Sequence, residues 1–125
     1  MSYPTEHEEQ VTLCEWMWAH KIRYFSVPNG ARLSNRLNRY AHIYRLKREG
    51  LTPGAPDLVL VDLAPSDSRP VAIELKRRSG GSLSVMQRAM RDIAIGAGWH
   101  HILAYGAQDA VEQLMRLGFV GRWWA

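Results

Sequence analysis

The chain has 125 residues, of which 46% are hydrophobic and 22% charged; this supplies one core, is too short for two, and excludes general disorder. A net charge of +4 and a pI near 9.6 permit a polyanionic partner, while the single cysteine, Cys14, excludes a disulfide framework and Cys-rich zinc sites. No stretch approaches the roughly 20 apolar residues of a bilayer span, and MSYPTEHEEQ is too acidic and polar for a signal peptide, so a cytoplasmic protein without membrane contact is expected.

Thr5 precedes a run with Leu13, Trp16, Met17 and His20 at helical spacing, and the acids of its first turns suit the positive end of a helix dipole; the pattern predicts a helix over about 6–20. IRYFSV is short, aromatic and β-branched and is closed by the turn Pro28-Asn29-Gly30, so it reads as a strand. From Leu33 to Gly50, Leu33, Leu37, Tyr40 and Tyr44 form an apolar stripe and Arg32, Arg36 and Arg39 a basic one, which one amphipathic helix accounts for. LTPGAP and PSDSRP break the chain before DLVLVDL and VAIELK, giving two strands joined by a loop. SVMQRAMRDIAIGAG carries Met86, Met90, Ile93, Ala94 and Ala97 at spacings of three and four and reads as a helix. HHILAY is a last strand, in which His100 and His101 point to opposite faces, one expected buried and one exposed. DAVEQLMRLG is a last helix, and a short aromatic tail with Trp123 and Trp124 follows. The order α-β-α-β-β-α-β-α implies an α/β fold, a mixed β-sheet flanked by α-helices, in a single domain spanning 1–125 with a core of about 5–119.

Charge is distributed by region. Residues 21–50 hold eight Lys and Arg against the single acid Glu49, while Glu6, Glu8, Glu9 and Glu15 precede every basic residue. Such a run is either a solvated helix face or a surface that tracks phosphates.

The acids of the central strands carry the chemistry. A hairpin centred on the Pro65-Ser66 region sets Asp57 opposite Glu74, with Lys76 on the same face and Leu75 on the other. Two carboxylates so placed repel each other unless a cation or a proton intervenes. A divalent ion such as Mg²⁺, which takes oxygen ligands from one or two carboxylates, water and phosphate, provides that relief. Lys76 is then placed to orient or deprotonate water, or to balance charge developing on a phosphorane-like transition state. A slip of one residue in the hairpin sends one acid to the opposite face, and E-x-K alone is too short to be specific.

Several spaced motifs together are more specific. TEHEEQ at the first helix, PNG after the first strand, LKREG followed by GAPDLVL, IELKRRSGGSLSVMQ, and GAQDAVEQL in the last helix resemble the VRR-NUC domain of the PD-(D/E)xK nuclease superfamily, in its small stand-alone phage and bacterial form; the resemblance runs from Thr5 to about Phe119. It implies a restriction-endonuclease-like fold and a Mg²⁺- or Mn²⁺-dependent DNA endonuclease. In that pattern Asp57 and Glu74 look like the metal-binding carboxylates, Lys76 like the catalytic lysine, and Gln87 like the glutamine of the following helix. Glu6 looks like the first-helix acid that reaches toward the metal, although Glu9 shares its face. Ser84 with Gln87 also fits an S-x-x-Q capping box, so Gln87 serves either the helix start or the site.

The same resemblance implies a homodimer acting on branched DNA, Holliday junctions included, in phage replication, recombination or repair. Asn29, Arg32, Arg36, Arg39 and Lys47 would contact the DNA, with Arg77 and Arg78 bordering the cleft; backbone contacts of this kind carry little sequence information. PNGARLSN departs from the pattern, which often has a further glycine and a basic residue there, and leaves Arg32 without a defined role and Asn29 open to a turn role alone. The rival readings are a DNA-binding module on a catalytically degenerate nuclease fold and a metal-dependent enzyme for a small substrate, the latter leaving the basic run unexplained.

Overall fold

Thr5 starts the first helix with a reciprocal cap: its hydroxyl accepts the Glu8 N–H at 3.1 Å, and the Glu8 carboxylate accepts the Thr5 N–H at 2.8 Å. The computed structural model describes residues 2–28 and 39–120. Its elements are α1 (Glu6–Ala19), β1 (Tyr24–Ser26), α2 (Arg39–Arg48), β2 (Leu58–Leu60), β3 (Val71–Lys76), α3 (Val85–Gly96), β4 (His100–Tyr105) and α4 (Ala107–Arg116), in the order read from the sequence. β1 and β2 are shorter than their apolar runs. Val61 N–H still donates to the Arg23 carbonyl, after which the Asp62 side chain accepts the Arg23 N–H at 2.7 Å and ends the pairing.

The strands form one sheet in the order β1-β2-β3-β4, antiparallel through β3 and parallel between β3 and β4, where α3 makes the crossover. Register and alternation divide its two faces. Leu58, Leu60, Ile73, Leu75, Ile102 and Ala104 turn to one side, where they form the core with Leu13 and Met17 of α1 and Ala110 and Leu114 of α4. Ala72, Glu74, Lys76 and His101 turn to the other side, and α3 lies over them, tied down by a bond from Lys76 to Gln87.

Two apolar stripes are not where their spacing predicts. α3 buries none of its residues; Met86 and Ile93 are exposed, and Gln87, Met90, Arg91 and Ala94 are the half-covered ones. Its inner face is therefore polar as often as apolar. On α2, Tyr40 and Tyr44 are exposed and the inward positions are Ile43 and Leu46. Leu33 and Leu37 lie outside the described residues, as do Trp123 and Trp124. Of the two histidines, His101 is buried, whereas His100 is half-buried with its Nε2 2.7 Å from Asp67 Oδ2.

Candidate functional site

Leu58 stands opposite Ile73 and Val59 opposite Ala72, so the next position of the ladder brings Asp57 to Glu74. That position is irregular. Asp57 N–H donates to the Ile73 carbonyl at 3.0 Å, and the Asp57 carbonyl accepts the Val27 N–H at 2.9 Å. The Leu75 N–H is satisfied by a side chain: Asp57 Oδ2 accepts it at 2.7 Å. The carboxylate thus completes the sheet's hydrogen bonding and is held in a single place.

Glu74 is 1% exposed, and its Oε1 has no hydrogen-bond partner among the described residues. Leaving such an oxygen buried costs about 1–3 kcal/mol. Burial above all, then a hydrogen bond to Asp57 and the Asp57 charge, push the Glu74 carboxyl up to about 9; Lys76 works against the rise and Glu6 adds to it. At neutral pH Glu74 keeps its proton unless a cation takes its place.

Lys76 is held from two sides. Its Nζ donates to Gln87 Oε1 at 3.0 Å, and Gly81 passes so close to its stem that a Cβ there would sit 2.9 Å from Lys76 Cβ. Gln87 Oε1 also accepts the Ser84 N–H at 2.9 Å, while Ser84 Oγ accepts the Gln87 N–H at 3.1 Å. The capping box and the contact with Lys76 coexist, so the two alternatives for Gln87 are compatible. Gly54, at φ +84°, packs on the same helix start; a Cβ there would meet the Met86 carbonyl oxygen at 2.3 Å. The loop bearing Gly54 therefore closes a small cavity over Asp57 and Gln87, with Val27, Leu51 and Pro53 in its wall.

The two acids of α1 have different surroundings. Glu9, also 1% exposed, accepts Arg78 Nε at 2.7 Å on Oε2 and the Ala107 N–H at 3.2 Å on Oε1, so it ties α1 to the end of β3 and the start of α4. Gly106 makes room for this: a Cβ would fall 2.8 Å from Arg78 Cγ and 3.0 Å from Glu9 Oε2. Glu6, nearly one turn earlier, is the α1 acid whose charge acts on Glu74.

Two further groups belong to this face that the sequence does not assign to the site, His101 reading only as one of a buried and exposed pair. Neither ring nitrogen of His101 has a partner among the described residues, and Arg91 Nε is buried in the same condition. Burial and the Arg91 charge keep the imidazole below its ordinary range, with Asp57 acting in the opposite sense. The available signal was positional: Arg91 follows Gln87 by four residues on one helix face, and the β3–β4 register sets His101 beside Ala72.

The structure thus brings Asp57, Glu74, Lys76, Gln87 and Glu6 together. Arg77 is exposed just past β3, Lys47 is exposed on α2, and Arg78 is engaged by Glu9. Asn29, Arg32, Arg36 and the Arg39 side chain lie outside the described residues.

Among the described residues no three His, Cys, Asp or Glu side chains form a set that holds a metal unaided. Two buried carboxylates, one with an unpartnered oxygen, nevertheless suit a hard cation that takes the rest of its shell from water and phosphate, and on that ground Asp57 and Glu74 fit Mg²⁺ or Mn²⁺.

No protein-family model matches the sequence, and no curated protein matches it either. Among solved structures, one described as a VRR_NUC domain protein superposes with a TM-score of 0.70 at 17% sequence identity, covering 94% of this chain and 93% of its own. The chain shares the fold of that protein.

Proposed function

We propose that this chain is a Mg²⁺- or Mn²⁺-dependent DNA endonuclease of the PD-(D/E)xK type. The observation that carries the reading is the buried Asp57–Glu74 pair with Lys76 held beside it by Gln87. The likeness of fold to a VRR_NUC domain protein agrees with it.

Asp57 and Glu74 hold the metal in this reading, with Glu6 at hand. A bound Mg²⁺ or Mn²⁺ supplies Lewis-acid activation of water and neutralisation of phosphate charge. The Leu75 N–H fixes the Asp57 carboxylate, so the site is organised before substrate arrives. The Lys76 ammonium, anchored on Gln87, stands where it orients the attacking water and offsets the charge that builds on the phosphate oxygens. Arg77 and the basic residues of α2 supply phosphate contacts that position DNA without reading its sequence.

Branched DNA as substrate and a homodimer as the working form belong to the same proposal, in replication, recombination or repair. An apolar surface supports the dimer. Phe25 and Val61 are exposed on the sheet face turned away from the core, and Met86 and Ile93 are exposed on the helix of that side.

The test is cleavage of labelled four-way junction, flap, duplex and single-stranded DNA with Mg²⁺, Mn²⁺ or chelator. Metal-dependent cutting that is lost in Glu74→Gln, with DNA binding retained, is the expected result. Cutting that persists in Glu74→Gln, or binding without cutting under any metal, overturns it, the latter in favour of a DNA-binding module.

A further inference from the structure

Among the described residues, α2 stands apart from the other elements. It has no extensive packing partner among the described elements, and only Ile43 and Leu46 are half-covered. Tyr40 is 87% exposed and Tyr44 64%. Neither ring makes a hydrogen bond or a ring contact among the described residues.

Side chains four residues apart lie on one helix face about 6 Å apart along the axis, so the two rings form a short column. Lys47 and Arg48 continue the same flank, and Arg39 and Arg45 raise the helix to four cations with no acid. Exposed aromatic rings set among cations are what a single-stranded nucleic acid recognises: the rings accept base faces and the cations accept phosphates. A fully paired duplex hides its base faces and offers the rings nothing. A protein partner would have to bring both an apolar surface for the rings and acids for the cations, whereas a single strand carries base faces and phosphates at every nucleotide.

The helix also leads to the acids. Its last turn closes with Leu51 N–H donating to the Leu46 carbonyl at 2.8 Å across Gly50, at φ +112°. Leu51, Thr52 and Pro53, which follow at once, line the small cavity that contains Asp57 and Gln87. Leu51, Thr52 and Pro53 thus join α2 to the wall of the site.

We infer that Tyr40 and Tyr44 form a stacking platform for the unpaired bases of a nucleic-acid substrate. This rests on the nuclease reading above.

The experiment measures binding in chelator, so that no cutting intervenes, to a single strand, a gapped or flapped duplex, and a blunt duplex, and then cleavage of the same substrates in Mg²⁺. Wild-type protein is compared with Tyr40→Ala/Tyr44→Ala, Tyr40→Phe/Tyr44→Phe and Lys47→Ala/Arg48→Ala. The alanine pair is expected to weaken binding to the single strand and gapped duplex on the order of tenfold, leave the blunt duplex unchanged, and be rescued by phenylalanine. The basic pair is expected to weaken all substrates alike. Equal loss on every substrate, no loss on any, or failure of phenylalanine to rescue overturns the platform. A change of sedimentation behaviour in the alanine pair overturns it in favour of a surface between two copies of this chain. Wild-type protein that cuts DNA without regard to the tyrosines sinks this inference alone, whereas wild-type protein that binds the single strand through them and cuts nothing sinks the nuclease reading alone.

Discussion

α3 and α4 lie on opposite faces of one sheet, are of similar length, and carry comparably clear apolar stripes, yet they do different work. α4 buries Ala107, Ala110 and Leu114 in the core with α1. α3 buries nothing; it leaves Met86 and Ile93 exposed and turns Gln87 and Arg91 toward a sheet face bearing Glu74, Lys76 and His101. One face keeps the protein folded. The other accepts unsatisfied polar atoms, which is where a ligand has something to gain.

The sharpest way to break this contrast is Glu74→Gln. Metal-dependent cleavage should fall to the assay background while the metal-free protein becomes more stable at neutral pH. The sign follows from the raised acid. Below about 4.5 the carboxyl is protonated whether the chain is folded or not; between about 4.5 and about 9 only the unfolded chain releases the proton, so stability of the metal-free wild type should decline as pH rises through that window. Melting temperature against pH in chelator measures this, and a flat profile would contradict a buried protonated Glu74. Added Mn²⁺ should raise the wild-type melting temperature more at pH 8 than at pH 6, because metal and proton compete, and should not move that of Glu74→Gln.

Leu114→Ala on the core side should cost about 2–5 kcal/mol in urea unfolding, as for a fully buried leucine, while Ile93→Ala on α3 should stay within about 0.5 kcal/mol. Similar losses from the two would erase the distinction between the helices. Gln87→Ala should lower cleavage about 10–100-fold by releasing Lys76, and destabilise by only about 1 kcal/mol through the lost cap. Ser84→Ala should reproduce the stability loss with less effect on cleavage, which separates the two duties of Gln87. His101→Leu, which exchanges an unpartnered buried imidazole for an apolar side chain, should leave stability unchanged or raise it by about 1 kcal/mol, measured by the same urea unfolding.

Much of this was legible in the sequence because it depended on local rules. The element order followed from periodicity and breakers, and the hairpin register that faces Asp57 with Glu74 followed from strand alternation and the position of PSDSRP. Periodicity failed at α2 and α3 for a common reason: an apolar stripe marks a face without saying whether another layer covers it. Tyr40, Tyr44, Met86 and Ile93 fit helical stripes and still face outward. Nor does spacing reveal that the Asp57 carboxylate takes a hydrogen bond from the Leu75 backbone, or that Glu9 and Glu6, on one helix face, divide into a structural and a site-facing acid; both depend on contacts between segments far apart in sequence.

The link through Glu9, Arg78 and the Ala107 N–H spans 98 residues of chain, and Glu6 stands on the helix it anchors. A ribosome must therefore have released the chain as far as the start of α4 before the first-helix acid can be locked beside the central carboxylates. Chains cut short by premature termination before α4 would keep the Arg78 contact but lack the Ala107 N–H, so an incomplete translation product should hold its first helix less firmly than the full fold does.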